Sequence, residues 1–237
     1  MKTVKAALSA NSGISLTLPG GRIFLDAISK SHNEFSQVTP EIWDYMKKSE
    51  DFSSPDVICF SHVHADHYSY KMTAEAKQLW PEAKIILQDF DFDDQIVLAG
   101  EQVDYSFSDI SMKFVKTVHS GKGFEKENHY SIVIREEDLC ILFSGDVTMP
   151  TEEIKTLIEK EKPQILILPF LWATQKNAVD YLLGLDFVKS AAIVHIPFAE
   201  DDQYGYRRAV EKNEKIWSVL PDIRIMDDPY QVEEFFI

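Results

Sequence analysis

The 237-residue sequence has little cysteine and little glycine. Its two cysteines, Cys59 and Cys140, each lie in an apolar run, at residues 57–60 and 139–142. A thiol in such a run usually packs as a small buried hydrophobe, and nothing suggests a disulfide framework. With 9 glycines and 10 prolines, the chain also lacks the composition of a disordered or fibrous protein. We therefore expect a globular protein from a reducing compartment, which favours the cytoplasm.

Basic residues and long hydrophobic runs are also scarce. Lys and Arg number 24 against 39 Asp and Glu, which gives a formal net charge of -15. A protein that neutralises many phosphates needs a basic surface, so this balance disfavours nucleic acid as a partner. No run of about 18 apolar residues offers a membrane span, and the apolar stretch near the N-terminus is too short for a signal peptide. We expect a soluble protein that acts on a small molecule, with no nucleic-acid or membrane partner; its oligomeric state stays open.

The hydrophobic pattern predicts one mixed α/β domain over residues 1–237. No linker, low-complexity segment or internal repeat divides the chain. Runs with strand character occur at residues 3–9, 13–18, 22–26, 57–60, 84–87, 103–107, 111–118, 130–135, 139–143, 165–168 and 191–196. Helical patterns occur at residues 40–48, 73–80, 91–99, 151–160, 174–183 and 204–219. The alternation in the last third indicates helices layered on sheet faces.

Four potential metal ligands lie within six residues, directly after the predicted strand at residues 57–60. They are His62, His64, Asp66 and His67. Side chains two apart point the same way in an extended segment, so the two histidines form one pair and the residues past the bend form another. A single loop histidine is commonly structural, but four ligand types so close together predict a loop that serves two adjacent metal sites.

Three further ligand types follow predicted strands elsewhere in the chain. His119 follows residues 111–118, Asp146 follows residues 139–143, and His195 lies at the end of residues 191–196. Gly145 precedes Asp146 and can let the backbone approach an ion closely. Because ligands converge at sheet ends in layered α/β proteins, we expect these side chains to join the loop.

These residues resemble the signature of the metallo-β-lactamase-fold superfamily, a His-x-His-x-Asp-His loop followed by a His, an Asp and a final His. The similarity runs from Gly13 to His195 and points to the branch of small metal-dependent hydrolases that includes the ascorbate-6-phosphate lactonase and N-acyl phospholipid phospholipase D. It implies a four-layer αβ/βα sandwich, with two β-sheets packed face to face and helices outside. The chain departs from the branch at Ile193-Val194-His195, where Pro-x-His is usual, and at residues 169–172, where small glycines are frequent.

The resemblance also implies a role for each ligand and the cofactor. One metal ion would be held by His62, His64 and His119, and the second by Asp66, His67 and His195, with Asp146 bridging both. Asp26, which ends the strand at residues 22–26, would orient a ligand by hydrogen bonding rather than bind metal. The cofactor is expected to be two divalent ions, zinc first, with manganese or iron as alternatives.

The implied chemistry is hydrolysis by activated water. Two cations that share a water lower its pKa from 15.7 toward about 7 and polarise a carbonyl or phosphoryl oxygen. Hydroxide is then the nucleophile for a small ester, lactone, amide or phosphodiester, and Asp66 is the catalytic candidate that orients it or shuttles its proton. Lys122 and Trp172 are candidate substrate contacts.

Three alternatives remain open from the sequence. The first is a phosphodiesterase or nuclease, although a polymer substrate would require a basic surface that this chain lacks. The second is a di-iron oxidoreductase of the same fold, and the third is a metal-binding protein without turnover. The sequence also leaves open whether the pocket is lined by Phe170, Trp172, Tyr204, Arg207 or Arg208, and His129 is interpreted as structural or pocket-lining.

Overall fold

The structure is a computed structural model that describes residues 3–30, 35–121, 123–147, 150–217 and 222–237. In chain order its strands are β1 (Thr3–Leu8), β2 (Ile14–Leu18), β3 (Gly21–Leu25), β4 (Val57–Cys59), β5 (Lys84–Leu87), β6 (Ile96–Val97), β7 (Gln102–Phe107), β8 (Ile110–Lys116), β9 (Tyr130–Glu136), β10 (Leu139–Phe143), β11 (Ile165–Pro169), β12 (Ser190–Val194), β13 (Ile223–Ile225) and β14 (Val232–Phe236). The helices are α1 (Pro40–Met46), α2 (Tyr70–Leu79), α3 (Glu152–Glu161), α4 (Leu171–Thr174), α5 (Lys176–Leu183) and α6 (Tyr206–Trp217).

The described strands form two seven-stranded sheets with the same connection plan. The first sheet has the order β14-β1-β2-β3-β4-β5-β6 and the second has the order β13-β12-β11-β10-β9-β8-β7. In the first sheet β1, β2 and β3 pair antiparallel, and β3 to β6 then pair parallel. The second sheet repeats this, because β8, β9 and β10 pair antiparallel and β10 to β13 pair parallel. The parallel strands of each sheet therefore send their carboxyl ends to one edge.

Alternate residues of β10 show how the layers pack. Ile141 and Phe143 belong to the hydrophobic core shared with the first sheet, whereas Cys140 and Leu142 belong to the core shared with helix α3. Side chains alternate between the two faces of a strand, so the second sheet is covered on both faces. Residues of α1 and α2 join the core of the first sheet. The result is the αβ/βα sandwich that the resemblance implies.

The strand and helix starts follow local chemistry in most places. Thr39 caps α1, since its Oγ1 accepts a hydrogen bond from the Ile42 amide at 3.2 Å, and Pro40 occupies the first helical turn. The helix predicted at residues 174–183 is α5, which begins at Lys176, and the short helix α4 precedes it, with Gln175 between the two.

The helix predicted at residues 91–99 is wrong. The side-chain oxygen of Gln95 accepts hydrogen bonds from the amides of Asp91 and Phe92, at 2.8 and 2.7 Å, which holds this segment as a turn. The β-branched pair Ile96 and Val97 then adds a short parallel strand beside β5.

None of the helices within the described ranges combines the length and the hydrophobicity that a bilayer crossing requires.

Candidate metal centre

The loop after β4 is fixed to the two sheets by its backbone. The Ser61 amide donates to Asp26 Oδ1 at 2.6 Å, and the Ser61 carbonyl accepts from the Tyr130 amide at 2.8 Å. After His64 the chain turns, because the amides of His67 and Tyr68 both donate to the His64 carbonyl. This turn separates the two pairs of potential ligands, as the sequence predicts.

The first ligand group consists of His62, His64 and His119, whose ligand atoms all lie within 4.8 Å of one another. His62 Nε2 lies 3.1 Å from His64 Nδ1 and 3.3 Å from His119 Nε2. His119 Nδ1 donates to the Ser120 carbonyl at 2.6 Å, which leaves its Nε2 lone pair directed into the group. All three rings therefore offer a nitrogen to the same point.

The second ligand group consists of Asp66, His67, Asp146 and His195, again with ligand atoms within 4.8 Å. His195 Nε2 lies 3.2 Å from His67 Nε2, 3.3 Å from Asp66 Oδ2 and 3.4 Å from Asp146 Oδ2. Asp146 Oδ2 also lies 3.6 Å from His119 Nε2 of the first group. Asp146 is thus the one carboxylate, among the described residues of both groups, that contacts a ligand of each.

These distances fit divalent metal ions. Ligands at about 2.1 Å from a tetrahedral ion lie about 3.4 Å apart, and the observed separations between ligand atoms are 3.1 to 3.6 Å. Neutral imidazole nitrogens and carboxylate oxygens are also the donors that zinc, manganese and iron accept in proteins.

A buried oxygen supports the same conclusion. Asp146 Oδ1 is shielded from solvent and accepts no hydrogen bond from any residue that the structure describes. A buried carboxylate oxygen that accepts no hydrogen bond is costly, and coordination to a cation is one way in which proteins satisfy it. His67 Nε2 lies 3.3 Å from this oxygen, so an ion held by His67 would be within its reach.

Asp26 lies behind the ligands, where an orienting residue is expected. Its Oδ2 lies 2.7 Å from His67 Nδ1 and accepts a hydrogen bond from Ser61 Oγ at 2.6 Å. A carboxylate at Nδ1 keeps the proton on that nitrogen and directs Nε2 toward the ligand group. Asp26 also falls within metal-binding distance of His62 and His67, but both its oxygens already accept hydrogen bonds from Ser61.

Asn11, in the turn between β1 and β2, is a site residue that was not predicted from the sequence. Asn11 Nδ2 donates to the backbone carbonyl of Asp66 at 3.2 Å and lies 3.4 Å from Asp66 Oδ2. The backbone carbonyl of Asn11 accepts a hydrogen bond from the His195 amide at 3.0 Å. Asn11 and His195 both have positive φ, 55° and 61°. Left-handed conformations at residues other than glycine cluster at active sites and ligand clamps. The only sequence signal was an Asn-Ser-Gly turn, which is common in surface loops.

His129 also supports the centre from outside the ligand groups. Its Nε2 accepts a hydrogen bond from the Asp146 amide at 2.9 Å, and its Nδ1 lies 2.9 Å from Thr117 Oγ1. Burial lowers the pKa of His129 to about 3, so the ring stays neutral and can accept. The Gly145 backbone lies so close to this ring and to Ser61 that there is no room for a side chain at this position.

The electrostatics differ between the two ligand groups. Burial lowers the pKa of His62 and that of His119, which keeps each ring neutral, with one nitrogen lone pair free to bind a metal ion. Burial would also lower the pKa of His195, but the Asp146 carboxylate outweighs it and raises that pKa to about 9. Burial raises the pKa of Asp66, yet the charge of His67 and the hydrogen bond with His195 bring it to about 2. The second group is therefore already arranged to stabilise positive charge.

A cavity of about 320 Å³ opens beside both groups. His64, His119, Asp66, Asp146 and His195 line it together with apolar side chains that include Phe170. Tyr206 lines it as well, whereas Tyr204 is exposed and lies outside the lining.

Of the two candidate substrate contacts, the structure describes only Trp172, and it does not line this cavity. Trp172 is completely buried in the core between the second sheet and its helices, where its indole N–H donates to the Val147 carbonyl, so the expectation of a substrate contact is wrong. Lys122 lies outside the described residues. Arg207 does not line the cavity, and its guanidinium pairs with Asp227 and Asp228. Arg208 is exposed and also lies outside the lining.

Comparisons with known proteins agree with this architecture. A family model described as "Beta-lactamase superfamily domain" matches residues 11–196. A metallo hydrolase from the archaeon Ignicoccus hospitalis is 17% identical, with a TM-score of 0.68 over 99% of each chain. The metallo-beta-lactamase fold protein YhfI from Bacillus subtilis is 14% identical, with a TM-score of 0.67 over 99% of this chain and 100% of that one.

A third solved structure has the same fold but is described as a hydroxylase rather than a hydrolase. CmlA, a diiron beta-hydroxylase from Streptomyces venezuelae, is 6% identical with a TM-score of 0.67, over 100% of this chain and 54% of its own. Such low identities show a shared fold alone. A comparison with curated protein sequences finds no significant match.

Proposed function

This chain belongs to the beta-lactamase superfamily and has the metallo-β-lactamase fold, and from this premise we propose that it is a hydrolase with two divalent metal ions that cleaves a small molecule. The first ion would be held by His62, His64 and His119. The second would be held by Asp66, His67 and His195, with Asp146 shared between them. Zinc is our first choice of metal.

The observation that carries this proposal is the contact of Asp146 with both ligand groups beside an open cavity. Asp146 Oδ2 lies 3.4 Å from His195 Nε2 and 3.6 Å from His119 Nε2. A carboxylate in that position can be shared by two ions, and the cavity gives a substrate access to both. A purely structural metal site is closed by protein ligands, whereas this one borders open space.

The ions and the side chains have separate tasks. Two divalent ions bound there would lower the pKa of water toward about 7 and polarise a carbonyl or phosphoryl oxygen. Asp66 stays ionised, with a pKa of about 2, so it can accept a hydrogen bond from the attacking water and orient it. Asn11 Nδ2 fixes Asp66 in turn. Asp26 holds His67 in the tautomer that directs Nε2 toward the other residues of the second ligand group.

Metal analysis and hydrolysis assays test the proposal together. We expect about two divalent ions per purified chain by elemental analysis, and metal-dependent cleavage of at least one small ester, lactone, amide or phosphodiester. Chelation should abolish that activity and Zn²⁺ or Mn²⁺ should restore it. His64→Ala should reduce it at least a hundredfold, because it removes a ligand of the first ion.

Two aspartate-to-asparagine variants, one at the candidate metal centre and one on the surface, separate loss of the site from the loss of any negative charge. Asp146→Asn should lose both activity and metal, whereas Asp109→Asn, in the exposed turn between β7 and β8, should keep both. Full activity of the His64→Ala protein after metal depletion would contradict the proposal. A visible absorption band with two irons per chain and oxygen consumption would favour the di-iron alternative instead.

A further inference from the structure

We infer that the cavity binds an uncharged, apolar acyl group, so that the substrates are neutral esters, lactones or amides rather than phosphate esters. This inference rests on the proposed hydrolase function. It concerns the side chains that face the space beside the ligand groups.

One apolar wall stands over the second ligand group. The Phe35 ring lies 4.2 Å from the His195 ring, centroid to centroid, in an edge-to-face arrangement. Phe170 packs 4.7 Å from Tyr206, and Phe35 stacks parallel to Tyr206 at 6.1 Å. All three aromatic side chains line the cavity. A group bound there would meet ring carbon atoms next to a metal ligand.

A second apolar wall stands over the first ligand group. The Phe124 ring lies 5.2 Å from the His64 ring and 5.3 Å from the His119 ring. Phe124 is 43% exposed. A large exposed hydrophobic side chain at a site entrance is the kind of surface that contacts an apolar ligand.

Positive side chains are missing from the part of the lining that the structure describes. No lysine or arginine lies among the described lining residues, and the nearby Arg207 pairs with Asp227 and Asp228 instead. The lining contributes the carboxylates Asp66 and Asp146. Phosphate groups are usually bound by arginine forks or lysines, and the described lining offers an anionic substrate no such side chain.

The size of the cavity sets the length of the acyl group. About 320 Å³ is at the small end of the range for ligand pockets, which runs from about 300 to 1,000 Å³. A short alkyl or single-ring acyl chain fits such a space, and a polymer does not. Each methylene that becomes fully buried is expected to raise kcat/KM about fourfold.

Matched p-nitrophenyl esters test the inference on the metal-loaded protein. We expect kcat/KM to rise at least fivefold from the acetate to the butyrate, and the monosuccinate ester, which carries a carboxylate at the end of a similar acyl chain, to be at least tenfold poorer than the butyrate. Bis(p-nitrophenyl) phosphate should be a poorer substrate than all three.

Phe124→Ala is the informative variant, because the residue is exposed and does not hold the core. It should lower kcat/KM for the butyrate at least threefold and for the acetate less than twofold. Phe90→Ala, at a phenylalanine that is 69% exposed and lies outside the cavity lining, is the matched control and should leave both unchanged. Phe124→Leu should retain most of the preference.

A binding measurement gives a readout without turnover. Titration of 4-phenylbutanamide into the metal-free protein, followed by ligand-detected NMR, should give a Kd that Phe124→Ala weakens at least threefold and Phe90→Ala leaves unchanged. Metal-dependent cleavage with equal rates for acetate and butyrate, or with preference for the phosphodiester, would overturn the inference and leave the hydrolase proposal intact. Absence of metal-dependent hydrolysis with every substrate class would overturn both.

Discussion

Asp26 is a buried carboxylate with a left-handed backbone, at a φ of 49°, that does not enter either ligand group. Its oxygens accept two hydrogen bonds from Ser61 and face His67 Nδ1. One residue thus fixes both the start of the ligand loop and the tautomer of a ligand. Residues in such positions typically change metal affinity by 10-fold to 100-fold when mutated.

Asp26→Asn tests this role. We expect metal affinity at the second ligand group to fall at least tenfold, because an amide cannot accept hydrogen bonds at both positions. Competition with a chromophoric chelator measures the affinity. Asp109→Asn, an exposed turn residue, is the control and should bind metal like the unmodified protein. Equal affinities for all three proteins would show that Asp26 serves only the fold.

His129→Phe tests the support that His129 gives to Asp146. The change leaves the buried Asp146 amide without its acceptor, and an unsatisfied buried donor costs about 2 kcal/mol in the free energy of unfolding. His129→Gln keeps an acceptor oxygen and should cost less. Urea denaturation of the metal-free proteins measures both values. If the phenylalanine variant proves as stable as the glutamine variant, the hydrogen bond contributes nothing measurable.

The seven candidate ligands could be selected from the sequence because each follows an apolar run that forms a strand. His195 follows β12 and Asp146 follows β10, and their side chains meet although 49 positions separate them in the sequence. Asn11 could not be found in this way, since it is one polar residue in an ordinary turn. Its role depends on contacts with Asp66 and His195, which only the folded chain brings near.

At the scale of elements, the connection after β10 has an unusual requirement. Gly145 has a φ of 59°, and a Cβ atom there would lie 2.5 Å from His129 Nε2 and 2.8 Å from Ser61 Cβ. The sequence suggested that this glycine lets the backbone approach an ion. The structure instead shows a close approach to the residues that support Asp146 and the ligand loop.

Gly145→Ala should therefore destabilise the protein by about 3 kcal/mol, of which the left-handed backbone contributes about 1 kcal/mol. Gly100→Ala is the control, because Gly100 also has a positive φ, 83°, but a Cβ atom there meets nothing within 4 Å. It should cost about 1 kcal/mol. Thermal and urea unfolding measure both. Similar losses in the two variants would mean that contact with His129 and Ser61 is relieved by small movements.

The elements that were predicted wrongly or missed depend on contacts that hydrophobic periodicity does not report. The turn at residues 91–95 is held by the Gln95 side chain. β13 and β14 are short edge strands that pair with β12 and β1, and β1 lies at the opposite end of the sequence from β14. Hydrophobic periodicity carries no information about such side-chain bonds or distant edges. The long apolar strands, by contrast, were predicted within one or two residues.

At the scale of the whole molecule, the two sheets repeat one connection plan without a recognisable sequence repeat. Asp26 and the ligand loop follow β3 and β4 of the first sheet, and Asp146 and His195 follow β10 and β12 of the second. His119, in the first ligand group, follows β8 of the second sheet, so each ligand group contains residues from both sheets. Metal ions in the centre would connect the two halves of the sandwich, so we expect metal binding and folding to be coupled.

Metal removal tests that coupling. Metal at a thousandfold excess over its Kd stabilises the folded state by about 4 kcal/mol, which corresponds to about 10 °C in Tm for a chain of this length. We therefore expect chelation to lower Tm by about 10 °C in calorimetry. His64→Ala, which removes one ligand, should show a smaller shift on chelation.

The pH dependence of this difference has a definite sign. In the metal-free protein the pKa of His195 is about 9, above the value of about 6.5 for an unfolded histidine. Its protonation therefore stabilises the metal-free fold fully below pH 6.5, and this stabilisation is lost as the pH rises toward 9. A metal ion must displace the same proton, so the metal-loaded protein does not carry it. The difference in Tm between the loaded and the metal-free protein should thus widen from pH 6.5 to pH 9, and a difference that stays constant or narrows over this range would show that His195 does not bind the ion.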